Sequence, residues 1–231
     1  MPTTLITGAN KGLGYETARR LVAAGHDVHL GARDPQRGTA AANELGCRFI
    51  HLDVLDEASV RTAAAAIEHQ CGALDVLVNN AGIAGGFVPA ADTTPEELQR
   101  VFETNVFGVV RVTQAFLPLL LRSPSAVVVN VSSGMGSFSV TTDATRFEST
   151  LKGLAYPSSK AALNMLTSQY AKNFPQIRIN AVDPGHTATD LNGHRGTQTV
   201  EEGAEIIVAM ATVTPDGPTG GFFDRNGTVP W

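Results

Sequence analysis

Short β-branched runs alternate with alanine-rich helical stretches along this chain, and that alternation limits the fold more than any single motif. Apolar runs of strand length fall near residues 4–7, 27–32, 48–51, 75–79, 126–131 and 178–182, with another near 220–223. Between them, helical patterns cover about 12–24, 35–45, 56–70, 95–122, 156–173 and 199–211, joined by short connections. The run Ala126-Val127-Val128-Val129-Asn130-Val131 is apolar except for Asn130, the pattern of a strand covered by helices on both faces. Strands separated by helices in this rhythm pair in parallel through crossover connections. The expected fold is α/β: one doubly wound domain over residues 1–231, a seven-stranded parallel sheet with helices on both faces. A chain of 231 residues holds one full core of this kind and is too short for a second domain of similar size.

Ligands on such a sheet sit outside the carboxyl ends of the strands, where strand order reverses. The polar motifs of this chain fall there. Thr7-Gly8-Ala9-Asn10-Lys11-Gly12-Leu13-Gly14 follows the apolar Thr4-Leu5-Ile6 and opens a helical run that ends near Ala24-Gly25. Glycines at 8, 12 and 14 permit a tight turn and close approach of the backbone to a pyrophosphate, which then rests on the helix N-terminus. The plainer reading of three glycines is an ordinary strand-to-helix turn. Asn79 ends the fourth strand, Ser133 follows the fifth and Pro184 the sixth, so one crevice would collect residues far apart in sequence.

Tyr156-Pro157-Ser158-Ser159-Lys160 sets a phenol and an ammonium four residues apart, neighbours on one helix face. Pro157 suits the first turn of a helix, which puts Tyr156 at a helix N-terminus. A free tyrosine has a pKa of about 10, so only about a thousandth is ionised near neutrality. A nearby cation and the positive helix end both favour tyrosinate and make the phenol a usable acid or base. Taken alone, the spacing also fits a lysine stem laid along a half-buried ring.

Together, the glycine pattern, Asn79-Asn80-Ala81-Gly82, Asn105, Asn130-Val131-Ser132-Ser133, Tyr156 with Lys160, and Pro184-Gly185-His186-Thr187-Ala188-Thr189 resemble the motifs of the short-chain dehydrogenase/reductase family. They come in the family's order and cover residues 3 to about 224. Asn10-Lys11-Gly12 and Gly31-Ala32-Arg33-Asp34 are most similar to its NADPH-dependent carbonyl reductase branch. The resemblance implies a Rossmann fold, a small carbonyl or alcohol substrate, and roles for particular residues. Tyr156 becomes the general acid for carbonyl reduction. Lys160 lowers the tyrosine pKa and bonds the nicotinamide ribose. Ser133 hydrogen-bonds the substrate carbonyl, with Ser132 the competing choice. Asn105 holds a water in a proton relay behind the lysine, although an asparagine there can also simply bond a neighbouring helix carbonyl. For the cofactor, the resemblance implies Gly8, Asn10, Lys11, Gly12, Leu13 and Gly14 at the pyrophosphate turn and Asp53 with Val54 at the adenine. It further implies Asn80, Ala81 and Gly82 along the adenosine side, and Pro184, Gly185, Thr187 and Thr189 at the nicotinamide beside Tyr156 and Lys160. Unaided, Asp53 reads as a helix N-terminal residue before Asp56-Glu57.

Cofactor choice turns on the end of the second strand, where NAD enzymes place an acidic residue to bond the ribose hydroxyls. Here the strand ends Leu30-Gly31-Ala32-Arg33. Arg33 offers a planar fork to a 2′-phosphate and Lys11 a second charge, which favours NADP(H) over NAD(H). Asp34 leans the other way.

The spacing from Ser133 to Tyr156 is longer than in most family members, and the insertion, Ser139 to Gly153, is expected to form a short helix beside the site. In carbonyl reductase-like members a longer insertion covers the helix faces used for tetramer assembly, which implies a monomer. The segment 190–200 is short for a substrate lid and predicts an open pocket. His186 and His194 fall near the nicotinamide side but, as lone loop histidines, read as solvated.

A net charge of −5, with 43% hydrophobic and 17% charged residues, gives no basic surface for nucleic acid. Met1-Pro2-Thr3-Thr4 leads straight into the first strand without an export signal, and no apolar run has the length of a membrane span, which predicts a cytoplasmic protein. Cys47 and Cys71 read as free thiols, and no metal-ligand spacing is present. The expected function is NADPH-dependent reduction of a ketone or aldehyde. An alcohol dehydrogenase working mainly in the oxidative direction and a non-catalytic dinucleotide-sensing regulator are the alternatives. A sensor has no need of the set Asn105, Ser133, Tyr156 and Lys160. Ala84–Val88, the insertion and the 190–200 segment build the substrate pocket and carry no readable code for its ligand.

Overall fold

In the computed structural model, which describes residues 1–86 and 88–231, seven strands pair in parallel. They are β1 (Thr3–Thr7), β2 (Asp27–Ala32), β3 (Arg48–His51), β4 (Val76–Asn79), β5 (Val127–Val131), β6 (Arg178–Val182) and β7 (Phe222–Asp224). Their order is β3-β2-β1-β4-β5-β6-β7, so strand order reverses between β1 and β4. The seven expected parallel strands are present. A two-residue β8 (Gly227–Thr228), too short to announce itself in the sequence, adds an antiparallel edge against Phe223 and Asp224.

Every residue of β1, β4 and β5 is buried, as central strands covered by helices on both faces are. Alternate side chains point to opposite faces. Leu5, Leu77, Val128 and Ile179 join one core with Ile67 of α3 (Glu57–Cys71) and Phe116 and Leu120 of α5 (Gly108–Leu120). Ile6, Val78, Val129 and Val182 join the other with Leu21 of α1 (Gly12–Ala23) and Ile206 and Ile207 of α8 (Val200–Ala211). Each such fully buried side chain contributes about 1.5–3 kcal/mol. The sheet is thereby sandwiched between two helical layers.

Local chemistry sets the helix ends. Asp34 caps α2 (Pro35–Leu45) by accepting from the Arg37 amide at 3.1 Å, Pro35 takes the first turn, and Gly46 ends the helix in the left-handed region. Asp56, not Asp53, caps α3, accepting from the Ala58 amide at 2.9 Å. The helix expected over 95–122 is α4 (Pro95–Phe102) and α5 joined by a wider π turn, Glu103–Phe107. The insertion forms α6 (Phe138–Thr142) and a 3₁₀ turn, Phe147–Thr150, before α7 (Ala155–Asn173).

Two asparagines interrupt the valine-rich centre of the sheet. Asn79 and Asn130 are register partners on β4 and β5, and Asn79 Nδ2 donates to Asn130 Oδ1 at 2.9 Å and to Thr113 Oγ1 at 3.2 Å. Asn130 Nδ2 in turn donates to Thr167 Oγ1 of α7 at 2.8 Å. Among the described residues no helix is long and apolar enough to cross a membrane.

Candidate active site

A cleft of about 1290 Å³ runs along the carboxyl ends of the strands, from Arg33 and Asp53 at one end, past the glycine turn, to Ser133, Tyr156 and Lys160. Gly8, Asn10, Lys11, Gly12 and Leu13 line it, and Gly8 and Gly12 have positive φ. Gly14 lies outside the lining. A Cβ there would stand 2.5 Å from Asn80 Nδ2 and 2.8 Å from Ala9 Cα, so its bareness lets α1 close onto the turn. Asn80 locks this contact by donating to the carbonyls of Thr7 at 2.9 Å and Gly8 at 3.1 Å, while Thr7 Oγ1 accepts from the amides of Asn80 and Ala81. Ala81 and Gly82 then form the facing wall.

At the far end of this wall, Arg33 is exposed, and among the described residues its guanidinium has no protein partner. Asp34, the residue that leaned toward NAD, is occupied by its own helix cap and by Arg37 at 3.5 Å. Lys11, read as a second phosphate contact, instead pairs with Asp190 at 2.5 Å, a partner 179 residues away that the sequence does not announce. Asp53 accepts from the Leu55 amide at 3.0 Å and lines the cleft together with Val54.

Tyr156 stands in the first turn of α7, as its proline predicts. Lys160, 5% exposed, reaches over the same face, its Nζ 5.6 Å from the Tyr156 ring centre and donating to the Val131 carbonyl at 2.7 Å. Burial pushes the phenol up to about 12, against which the neighbouring Ser133 hydroxyl acts, and draws the Lys160 ammonium down to about 8. The sequence led to the expectation that the lysine and helix end lower the tyrosine; in this cleft burial raises it. The serine pair divides cleanly. Ser132 Oγ is buried and donates to Asn164 Oδ1 at 2.5 Å, whereas Ser133 lies beside the phenol and accepts from the Met135 amide at 3.2 Å.

Asn105 sits on the π turn, behind the cleft lining. Its Oδ1 accepts from the Ile83 amide at 2.9 Å, and its Nδ2 donates to the Ile83 carbonyl at 2.9 Å and Ser159 Oγ at 3.0 Å. It bonds the opposite loop and α7, not its own helix, and the wide turn is what aims it there.

Pro184, Gly185, Thr187 and Thr189, expected at the nicotinamide, all line the cleft. Thr187 Oγ1 already donates to the Pro184 carbonyl at 3.2 Å and accepts from Gln198 Nε2 at 2.8 Å, so it holds the loop's shape. Thr189 stands over the glycine turn, its methyl 3.7 Å from where a Gly12 Cβ would lie. The insertion closes this end. Phe147 lies against His186 with ring centres 5.0 Å apart, and Glu148, Thr150 and Leu151 complete the wall. His194 is exposed and bonded to Asp190 at 2.7 Å. Phe87, within the expected pocket segment, lies outside the described residues. Sequence reasoning passed over Asp183, a buried acid just past the end of β6 that also lines the cleft. Nor does sequence spacing reveal that Asp27, His29 and Cys71 come within 4.8 Å of one another around the amino end of β2, away from this cleft, with Arg48 paired to Asp27 at 2.9 Å.

Comparison with known proteins gives this geometry a family. The short chain dehydrogenase model matches residues 2–200. The chain is 32% identical to a (+)-neomenthol dehydrogenase of Capsicum annuum, over 96% of this chain and 95% of that protein. It is 34% identical to carbonyl reductase [NADPH] 1 of Mus musculus, over 100% of this chain and 98% of that one. The crystal structure of an NADPH-bound carbonyl reductase from chicken fatty liver superposes with a TM-score of 0.88 at 28% identity, covering 100% of this chain and 99% of the other. The chain belongs to the short-chain dehydrogenase/reductase family of NAD(P)-dependent oxidoreductases.

Proposed function

We propose that this protein reduces a ketone or aldehyde to an alcohol with NADPH as hydride donor. One observation carries the reading: a protonated phenol, a lysine and a serine hydroxyl converge at one end of a cleft whose other end offers a guanidinium with no partner among the described residues. The residues present fit a dinucleotide. Gly8 and Gly12 leave the pyrophosphate turn bare, and Arg33 has a fork free for a 2′-phosphate. When bound, the nicotinamide supplies the hydride.

The remaining tasks fall to the chain. Ser133 donates a hydrogen bond to the carbonyl oxygen and steadies the negative charge that develops on it. Tyr156, held protonated by burial, gives its proton to that oxygen. Lys160 stabilises the tyrosinate left behind, and Asn105 fixes the Ile83 loop and the start of α7 around it. A phenol pushed up to about 12 is protonated at neutral pH, the state in which it can give its proton to a substrate oxygen. Relatives named for neomenthol oxidation and for NADPH-dependent carbonyl reduction support a small carbonyl or alcohol substrate. The test is a panel of ketones and aldehydes with NADPH loss followed by absorbance. Turnover of at least one is expected, and a protein that binds NADPH yet turns over none overturns the reading.

A further inference from the structure

The amino end of β2, away from the cleft, gathers a second set of reactive side chains. Asp27 and His29 stand two residues apart on this strand, so both point to the same face. That face is the one α3 covers. Leu5, the register partner of His29, belongs to the core beneath α3, and Cys71 is the last residue of that helix. His29 is 2% exposed, whereas Asp27 and Cys71 reach toward solvent. One imidazole nitrogen, one thiol sulfur and one carboxylate oxygen thus come within 4.8 Å of one another. Cys71 is 42 residues from His29, so no stretch of sequence displays the set.

The spacing is that of ligands around one ion. Cys71 Sγ stands 3.6 Å from His29 Nε2. A zinc ion bonded to sulfur at about 2.3 Å and to nitrogen at about 2.0–2.1 Å, in tetrahedral geometry, holds those two atoms about 3.5 Å apart. A small turn of the half-exposed Asp27 side chain brings a carboxylate oxygen to the same centre. Asp27 is steadied from outside: Arg48, opposite His29 in register on β3, donates from Nε to Asp27 Oδ1 at 2.9 Å and from Nη1 to Gln70 Oε1 at 3.5 Å. Oδ2 has no partner among the described residues, and an outer hydrogen bond of this kind orients a ligating carboxylate. A sulfur, nitrogen and oxygen set suits zinc; magnesium and calcium take oxygen throughout.

We propose that Asp27, His29 and Cys71 form a zinc-binding site that ties the end of α3 to β2, with solvent as the fourth ligand. The Cys71 thiol gives its proton to solvent as the sulfur–zinc bond forms, and His29 binds through Nε2 as the neutral ring. The three ligands come together only in the folded chain, so the ion stabilises the fold. The site lies outside the cofactor cleft and does not depend on the reductase reading.

Cobalt reports such a site directly. Reduced protein, freed of metal with EDTA, should take up one equivalent of Co²⁺ with a sulfur-to-cobalt charge-transfer band in the near ultraviolet and intense visible bands of a tetrahedral ion, and Zn²⁺ should bleach both. Zn²⁺ at about a hundred times its Kd should raise Tm by roughly 5–10 °C. Cys71→Ser, or Cys71→Ala if the first variant does not fold, should lose the charge-transfer band, and Asp27→Asn should weaken Co²⁺ by about tenfold or more. Cys47→Ser should keep the band, because Cys47 packs in the core on the other face of the sheet. Folded wild type that shows no charge-transfer band overturns the proposal. So does a band that is lost in Cys47→Ser, or one that keeps its full affinity in Asp27→Asn and His29→Gln, the mark of a bare thiol holding metal adventitiously.

Discussion

Replacing Arg33 by alanine isolates the phosphate-reading part of the cleft. The Arg33 side chain has no protein partner among the described residues, and only its backbone carbonyl is engaged, by His51 Nε2 at 3.2 Å, so the substitution removes no internal support. What it removes is a charge-assisted contact to a 2′-phosphate, worth about 1.5–3 kcal/mol, or roughly 10- to 150-fold in NADPH affinity. NADH has no such phosphate and should bind Arg33→Ala about as it binds wild type. Asp34 cannot replace the loss by capturing ribose hydroxyls, because the α2 cap and Arg37 hold it. Lys11 adds a second handle. Its pair with Asp190 is more than half exposed on both sides, and such pairs are weak, so a phosphate can compete for the ammonium. Asp190→Asn should accordingly tighten NADPH by about two- to five-fold and leave NADH alone. Dissociation constants from fluorescence quenching, for both cofactors in wild type and each variant, give the comparison, and added salt should shrink the NADPH advantage. Wild-type preference for NADH, or equal weakening of both cofactors in Arg33→Ala, would falsify the assignment.

Tyr156→Phe should lower kcat by roughly 10²- to 10⁴-fold, the range for loss of a positioned general acid, with NADPH affinity nearly intact; turnover close to wild type removes Tyr156 from the chemistry. Lys160→Ala should impair both turnover and NADPH binding, measured on the same preparations, and an effect on neither makes it a structural lysine. Because burial draws Lys160 down to about 8, the unfolded chain carries the extra proton between that value and the ordinary lysine range, and this group's contribution to stability rises with pH there. Denaturant curves should show wild type gaining on Lys160→Met by up to about 3 kcal/mol between about pH 8 and 10, below the range in which Tyr156 acts in the opposite sense; a flat difference refutes the shift. Sedimentation at micromolar concentration should find a monomer, since Phe138 and Leu151 lie beside Pro157 and Ala161 on the outer face of α7. A stable tetramer means that residues 139–153 leave the assembly face open.

The fold was legible because its signals are local. A β-branched run, a capping aspartate and a glycine just past a helix each act within a few residues, and the elements start and stop close to where those signals stand. The π turn escaped notice because 95–122 keeps its helical pattern straight through it, and the wider turn declares itself only when Asn105 is seen bonding Ile83. Tyr156 and Lys160 were readable because helix geometry alone brings them together. The Lys11–Asp190 pair and the Asp27–His29–Cys71 cluster were not, since each depends on how separate crossovers end over the sheet. The direction of the tyrosine shift was misjudged for a related reason. Charge neighbours can be read from spacing, whereas the depth of burial that raises this phenol is a property of the closed fold.

The paired asparagines in the middle of the sheet settle a question that valines leave open. Val76, Leu77 and Val78 face Val127, Val128 and Val129, and sliding one strand past the other by two residues would still lay aliphatic on aliphatic with the same faces inward. Asn79 opposite Asn130 ends that degeneracy. In the native alignment Asn79 Nδ2, Asn130 Oδ1 and Asn130 Nδ2 meet partners and only Asn79 Oδ1 goes without one among the described residues, whereas a slipped strand would break the Asn79–Asn130 bond, at about 1–3 kcal/mol for each group left unmet. Two side chains that contribute little to cohesion thus act as a dowel between β4 and β5, and through it the strand ends that carry Asn80 and Ser133 are held level with each other across the cleft.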